Sequence, residues 1–270
     1  MQSGHHVPSR RRRRALAARP LAGMPLLAAA ALLLLLSPAL AQQPADRTPA
    51  EDAATARARR TMVDRQLRAR DIDDPRVLEV MAKVPRHLFV PERMQGNAYR
   101  DSALPIDDGQ TISQPYIVAL MTQQLALETD DRVLEVGTGS GYQAAVLAEL
   151  AGEVFTIEIR PLLHAQSKER LAALGYDNVR AFEGDGYFGI EEHAPFDHIM
   201  ITAAIDHIPA PLLEQLATGG TMILPLGNPF SYQNLVLVTK TGSGGSGADY
   251  TVDLILGVLF VPMTGHALQR

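Results

Sequence analysis

Three glycines at alternate positions, Gly137, Gly139 and Gly141, end the apolar run Val133 to Val136, and a helix-like run, Ala144 to Leu150, follows them. A continuous apolar run of this length, bounded by turn residues, is the pattern of a fully buried strand. Glycine reaches φ > 0 and lets a ligand or another backbone come close, so the segment reads as a tight strand-to-helix turn. The first N–H groups of the following helix have no carbonyl partner of their own and are open to a ligand's polar atoms. In a βαβ unit this turn is where nucleotide-like cofactors bind. A turn that binds nothing would use the same glycines. The spacing, G-x-G-x-G, is one residue short of the dinucleotide fingerprint. Glu158 follows the next strand-like run, Val154 to Ile157, roughly where such folds place a ribose-binding carboxylate.

The elements that must position these residues alternate. Glu51 to Asp71 has the apolar spacing of an amphipathic helix, with Met62, Val63 and Leu67 on one side. Asp74-Pro75 reads as an N-cap with proline at N1, opening a helix that Pro85 ends. Leu104 to Pro115 reads as a loop, and Ser113 is placed to cap the helix Tyr116 to Leu127. After the glycine turn come the strand ending at Glu158, a helix (Leu162 to Leu174), a strand (Val179 to Phe182) and the loop Gly184-Asp185-Gly186. Phe196 to Thr202 is a further strand, and Pro211 to Ala217 a short helix ended by Gly219-Gly220. Thr221 to Leu224 is a strand, and Leu235 to Thr239 and Tyr250 to Val261 flank a flexible turn, Gly242 to Gly247. The fold class expected is α/β, a mostly parallel central sheet with helices on both faces and an antiparallel C-terminal hairpin.

The first forty-odd residues differ in kind. A basic block, Arg10 to Arg14, precedes the Leu/Ala run Leu26 to Leu36, and Ala39-Leu40-Ala41 fits a small-residue cleavage pattern. This is the layout of a secretory signal. The domains expected are a signal peptide or N-terminal anchor (1–41), a linker (42–56) and one catalytic domain (57–270). Export to the periplasm or beyond follows from that layout, with membrane contact only if the segment stays uncleaved. Six of the 25 Lys+Arg lie before Ala41, leaving 19 against 30 Asp+Glu, a net charge of −11 for the remainder. Such a body has no electrostatic footprint for nucleic acid. Cysteine is absent, which removes disulfides, thiolate metal sites and a Cys nucleophile. The histidines show no H-x-x-x-H spacing, so no metal is expected.

Leu134 to Tyr142, with Glu135 and the glycine spacing, resembles motif I of the AdoMet-dependent methyltransferases. Joined with Gln110-Thr111-Ile112-Ser113-Gln114-Pro115, Gly184-Asp185-Gly186, Ile201-Thr202-Ala203-Ala204 and Phe260-Val261-Pro262, it is similar to the protein-L-isoaspartate (D-aspartate) O-methyltransferase family from about Arg57 onward. The T-I-S-Q-P segment is the specific part, since many methyltransferases share the glycine motif. The resemblance implies a Rossmann-like fold, S-adenosyl-L-methionine as cofactor, and protein or peptide substrates methylated on the free α-carboxyl of isoaspartyl residues. It implies Ser113 as the catalytic residue, its hydroxyl aiming the acceptor carboxylate. For the cofactor it implies Glu135, Gly137, Thr138, Gly139, Ser140, Gly141, Glu158, Asp185 and Gly186, with Glu158 on the ribose and Asp185 on the adenine. Gln110, Thr111, Ile112, Thr264 and Gln269 match positions near cofactor or substrate in some members. Tyr187 stands where the family often has Trp, and Leu259 where a basic residue is common. The family is usually cytoplasmic and lacks a leader; a monomer is expected. Two other readings stay open: a small-molecule methyltransferase with a closed pocket, and an exported binding module that kept only the fold. An NAD-dependent oxidoreductase is disfavoured by the short glycine spacing.

Overall fold

The computed structural model describes residues 52–242 and 250–269. The expected leader, most of the linker and the glycine-rich turn from Ser243 onward lie outside the described residues. All described residues belong to one compact unit.

Proline and aspartate place the first helices. Asp52 caps α1 (Ala53–Met62), its carboxylate accepting from the N–H groups of Ala54 and Thr55 at 2.8 Å each. One π-helical turn, Val63–Leu67, carries the chain on, so the expected single helix to Asp71 is shorter and changes pitch. Asp74 caps α2 (Pro75–Lys83) as expected, with Pro75 opening it. The segment expected as a plain loop is a miniature antiparallel hairpin, β1 (Leu104–Pro105) with β2 (Thr111–Ile112). Its tip is a 3-10 turn at Asp107–Gly109, in which Asp108 takes φ 54°. Then comes α3 (Pro115–Leu125).

The sheet is built from β3 (Arg132–Val136), β4 (Glu153–Glu158), β5 (Val179–Glu183), β6 (Phe196–Ile201), β7 (Leu216–Gly227), β8 (Gln233–Lys240) and β9 (Tyr250–Val258). Helices α4 (Tyr142–Ala148) and α5 (Pro161–Ala173) return the chain between the first three strands, and α6 (Ala210–Gln215) joins β6 to β7. The strand order is β5-β4-β3-β6-β7-β8-β9. Pairs up to β6–β7 are parallel, and β7–β8 and β8–β9 are antiparallel. The central strands are buried on both faces, which is why they read as unbroken apolar runs. Alternate residues part to the two sides. Val133, Val154, Met200 and Ile223 join the core under α1 to α5. Leu134, Phe155, Ile199 and Met222 join the core under α6. Helices therefore lie on both faces, unevenly. None of the described helices is long and apolar enough to cross a membrane.

A further boundary differs from expectation. Helix α6 stops at Gln215, and Ala217, Gly219 and Gly220 lie inside β7. A Cβ on Gly220 would meet the carbonyl oxygen of Asp197 at 2.5 Å, so this glycine admits close approach of β7 to β6 rather than ending a helix. The helix end is held from elsewhere. Lys240, at the close of β8, donates from Nζ to the carbonyls of Leu213 (2.8 Å), Glu214 (3.2 Å) and Leu216 (2.6 Å). A cation at a helix C-terminus satisfies orphan carbonyls and complements the dipole. Lys240→Met keeps the stem and removes these bonds, and is expected to cost about 1–3 kcal/mol, read as a lower urea midpoint at unchanged slope.

Candidate functional site

The strand order reverses between β3 and β6: the chain leaves β3 toward β4 and β5, then returns to the other side of β3 as β6. Ligands of open α/β sheets bind beyond the carboxyl ends of strands at such a switch point. Gly137 follows β3 and Thr202 follows β6. The Thr202 hydroxyl donates to the carbonyl oxygens of Gly137 (2.7 Å) and, less closely, Val136 (3.0 Å). Gly137 takes φ 99°, and any Cβ there would collide with Thr202 Oγ1.

Two clefts meet at this point. The first, open to solvent, spans about 560 Å³ and is lined by the backbone of Gly137 and Gly139, by Glu158 at the end of β4 and Arg160 beyond it, by Gly186 beyond β5, and by Thr202. Gln110, Thr111 and Thr264 complete its wall. The buried Glu158 carboxylate faces it while accepting from the N–H groups of Gly139 (2.8 Å) and Arg160 (3.0 Å). The β1–β2 tip is fastened beside it by Arg160 Nη1 to Asp108 Oδ2 at 2.8 Å and Gln166 Nε2 to Asp107 Oδ2 at 3.1 Å. The second cleft encloses about 920 Å³ and shares Thr111, Thr202 and Val261 with the first. Ser113, Arg70 and Tyr116 line its inner part, and Tyr232 and Leu259, 69% and 77% exposed, form its rim. The Arg70 guanidinium lies 3.2 Å over the Tyr116 ring centroid. Neither carboxylate nor histidine lines this cleft.

Ser113 does not cap α3. The N-cap is Gln114, without a side-chain bond, and the Ser113 hydroxyl has no hydrogen-bond partner among the described residues. With Pro115 at N1 the turn already fits a helix start, and the serine is left one residue too early to reach the first amides.

The remaining predicted residues divide. Glu135 is fully buried beneath the glycine turn and lines neither cleft. Its Oε2 accepts from the Thr156 hydroxyl at 2.5 Å, which is 2.6 Å from that of Thr138. The three tie β3 to β4 and hold the turn from below. Ser140 also supports the turn, its Oγ accepting from the Tyr142 N–H at 3.2 Å and its carbonyl from Arg170 at 2.7 Å. Gly141, with φ 85°, is the N-cap of α4 and packs on α5. Asp185 caps the 3-10 turn Gly186–Phe188 through Tyr187 N–H (3.0 Å), and its other oxygen takes the His266 N–H at 2.7 Å. It anchors the last described turn, Gly265–Leu268, and does not line the first cleft. Ile112 packs in the core, and Gln269 is exposed away from both clefts. Tyr187 is buried, its hydroxyl 3.2 Å from His207 Nε2. Arg70, Arg160 and Val261 to Met263 line the clefts without a role foreseen in the sequence; the motifs containing Thr202 and Val261 were the only signal. No group of His, Cys, Asp or Glu able to hold a metal occurs among the described residues.

Burial pushes the Glu135 carboxyl up to about 8, partly opposed by the Thr156 hydrogen bond and reinforced by the Glu158 charge. A carboxyl raised on folding binds its proton more tightly in the native state, so its stabilisation is complete below the unfolded value near 4.5 and is lost as pH rises through about 8. Glu135→Gln keeps the shape of the protonated form. Melting temperature in this variant is expected to fall less between pH 5 and pH 8 than in the wild type; parallel curves would remove Glu135 as the source.

Comparison with known proteins agrees with this geometry. The family described as Protein-L-isoaspartate(D-aspartate) O-methyltransferase matches residues 57–268. A relative from Shewanella sediminis, named protein-L-isoaspartate O-methyltransferase 2, is 63% identical over 213 residues, covering 79% of this chain and 85% of its own. A Picosynechococcus protein-L-isoaspartate O-methyltransferase is 49% identical, covering 79% of this chain and 93% of its own. A solved Plasmodium falciparum structure, described as a beta-aspartate methyltransferase in complex with S-adenosyl-L-homocysteine, aligns with TM-score 0.66 at 26% identity, covering 76% of this chain and 98% of that one.

Proposed function

The chain belongs to the protein-L-isoaspartate(D-aspartate) O-methyltransferase family, and we propose that it transfers a methyl group from S-adenosyl-L-methionine to the free α-carboxyl of isoaspartyl residues in proteins. The observation that carries the reading is the pair of clefts sharing Thr111, Thr202 and Val261, with Ser113 on the far side of the shared wall.

The first cleft fits the cofactor. Its floor is glycine backbone at Gly137, Gly139 and Gly186, and the buried Glu158 carboxylate faces it. Each Glu158 oxygen keeps a lone pair for a ribose hydroxyl beyond the one used on a backbone amide. Glu135, Thr138 and Ser140 serve the site from beneath, by fixing the turn. When bound, S-adenosyl-L-methionine supplies a methyl group on a positive sulfur, open to direct displacement by a carboxylate oxygen.

The second cleft fits the acceptor. A carboxylate is already ionised at neutral pH and needs no general base, which suits a cleft lined by a cation, Arg70, and by neither carboxylate nor histidine. Ser113, with its hydroxyl unclaimed, donates to one carboxylate oxygen and turns the other toward the shared wall. Holding the reacting atoms in line and excluding water is then the main source of rate. The exposed rim at Tyr232 and Leu259 suits an extended peptide better than a closed small-molecule pocket would.

A peptide with one isoaspartyl residue is expected to accept a labelled methyl group far better than its aspartyl twin. Equal labelling of the two, or preferred labelling of a small phenol or amine, would replace this reading by the small-molecule one. Because Ser113 caps nothing, Ser113→Ala is expected to leave stability within about 0.5 kcal/mol. The same change should lower kcat/KM by about tenfold to a thousandfold, with S-adenosyl-L-homocysteine affinity held within about threefold because the serine acts on the acceptor. Undiminished methyl transfer by the alanine variant would take Ser113 out of the chemistry.

A further inference from the structure

Arg86 is the largest fully buried side chain of the protein, at 0% exposure. Among the described residues no carboxylate pairs with it. Its guanidinium donates instead to two main-chain carbonyls, from Nε to Ala98 at 2.8 Å and from Nη2 to Ser113 at 2.7 Å. The third nitrogen, Nη1, is buried with no hydrogen-bond partner. The group lies 4.9 Å from the ring centroid of Tyr142, the first residue of α4. Burial draws the guanidinium down to about 10, the neighbouring Tyr142 and Tyr99 hydroxyls opposing the shift, so the side chain stays charged at neutral pH.

A buried cation without a counter-ion costs several kcal/mol, and an apolar side chain of similar volume would fill the space without that cost. What arginine adds is a rigid planar fork able to hold two acceptors at fixed separation. The two acceptors here come from different stretches: Ala98 follows the 3-10 turn Glu92–Asn97, and Ser113 stands between β2 and α3. Ser113, in turn, has a hydroxyl with no hydrogen-bond partner among the described residues. Its side chain is thus aimed only by its own backbone, and that backbone is held at the carbonyl by Arg86.

We propose that Arg86 is the positioning residue of the acceptor site: its fork fixes the Ser113 carbonyl, and through it the direction in which the Ser113 hydroxyl meets the acceptor carboxylate. This rests on the proposed methyl transfer to isoaspartyl peptides. Arg86 lines neither cleft, so its effect on the acceptor is carried by the Ser113 carbonyl, while titration of the first cleft reports any effect carried through Tyr142. Arg86→Lys keeps the charge and most of the stem, but a single ammonium cannot span both carbonyls in the same geometry.

The test is a double-mutant cycle on methyl transfer to an isoaspartyl peptide at saturating S-adenosyl-L-methionine. Arg86→Lys is expected to lower kcat by about tenfold or more, since small misplacement of an orienting group is costly. In a Ser113→Ala background the same change is expected to cost less than about twofold, because the group it positions is gone. Titration with S-adenosyl-L-homocysteine shows whether each variant is folded with an intact first cleft. Equal losses in both backgrounds overturn the positioning role and leave Arg86 a general support of the fold. Should Arg86→Lys fail to fold, an ester at the Ser113–Gln114 linkage weakens the Ser113 carbonyl as an acceptor and changes neither side chain. That variant is expected to lose turnover and keep S-adenosyl-L-homocysteine binding, and full turnover in it overturns the proposal. Wild-type turnover without coupling refutes only the role of Arg86. No wild-type turnover on the isoaspartyl peptide refutes the methyl-transfer reading, and this role with it.

Discussion

The hydroxyl of Thr202 occupies the place that a side chain on Gly137 would need. Through that contact the ends of β3 and β6 are locked at one separation, with the hydroxyl bridging the Val136 and Gly137 carbonyls. Thr202 also lines both clefts. One side chain therefore sets the floor of the first cleft and the wall it shares with the second. A larger residue at 137 would push β6 outward and change both together. This contact is made by the first residue beyond each strand, so the sheet itself fixes the place of both cleft walls.

Around that lock the protein spends ionisable groups where no ligand reaches them. Glu135 lies under the glycine turn with two threonine hydroxyls strung toward it, and Arg86 lies behind Ser113. Both are fully buried, and among the described residues neither pairs with an opposite charge. Desolvation dominates in each, raising the acid and lowering the base. Such groups are expensive in a core that could be apolar. Each is placed where a backbone segment must take one position: the turn below the first cleft in one case, the serine of the second in the other.

The sheet was legible because its signal is local. Ile199 to Ile201 is a continuous apolar run and Val133 to Val136 is broken only by Glu135, and the glycines between β3 and α4 can be read as a turn without tertiary knowledge. Glu158 was legible for the same reason, being the last residue of such a run. What failed was what depends on partners distant in the chain. Ser113 looks like a helix cap because serine before proline usually is one, but Gln114 takes the position and Arg86 holds the serine from 27 residues away. Gly219-Gly220 looks like a helix stop, yet the space that Gly220 supplies is needed against Asp197 in β6. Asp185, read as a cofactor carboxylate, also has a structural part that the sequence does not announce: its oxygens accept from the N–H groups of Tyr187 and His266, the second 81 residues away. Arg70 offered no signal, because only the closing of the sheet under the N-terminal helices brings it to the acceptor cleft.

The charge of the whole chain and the charge of the acceptor site run in opposite directions, and distance decides between them. The protein carries a formal net charge of −5, with a strongly acidic body behind a basic N-terminal segment. An anionic acceptor approaching from afar meets a repulsive field, but interactions between exposed charges are largely screened beyond about 8 Å at physiological ionic strength. The lining of the second cleft contributes no carboxylate; its cation, Arg70, pairs with Asp101 at 3.4 Å, and Arg86 lies behind Ser113. Both guanidiniums are set against low-dielectric aromatic surface, Arg70 on Tyr116 and Arg86 on Tyr142. Field from a cation so placed is less screened than on open surface. A carboxylate entering this cleft would meet two guanidiniums, one shared with Asp101, on a molecule whose net charge is acidic, so its seating would depend on these short-range contacts more than on the field of the whole protein.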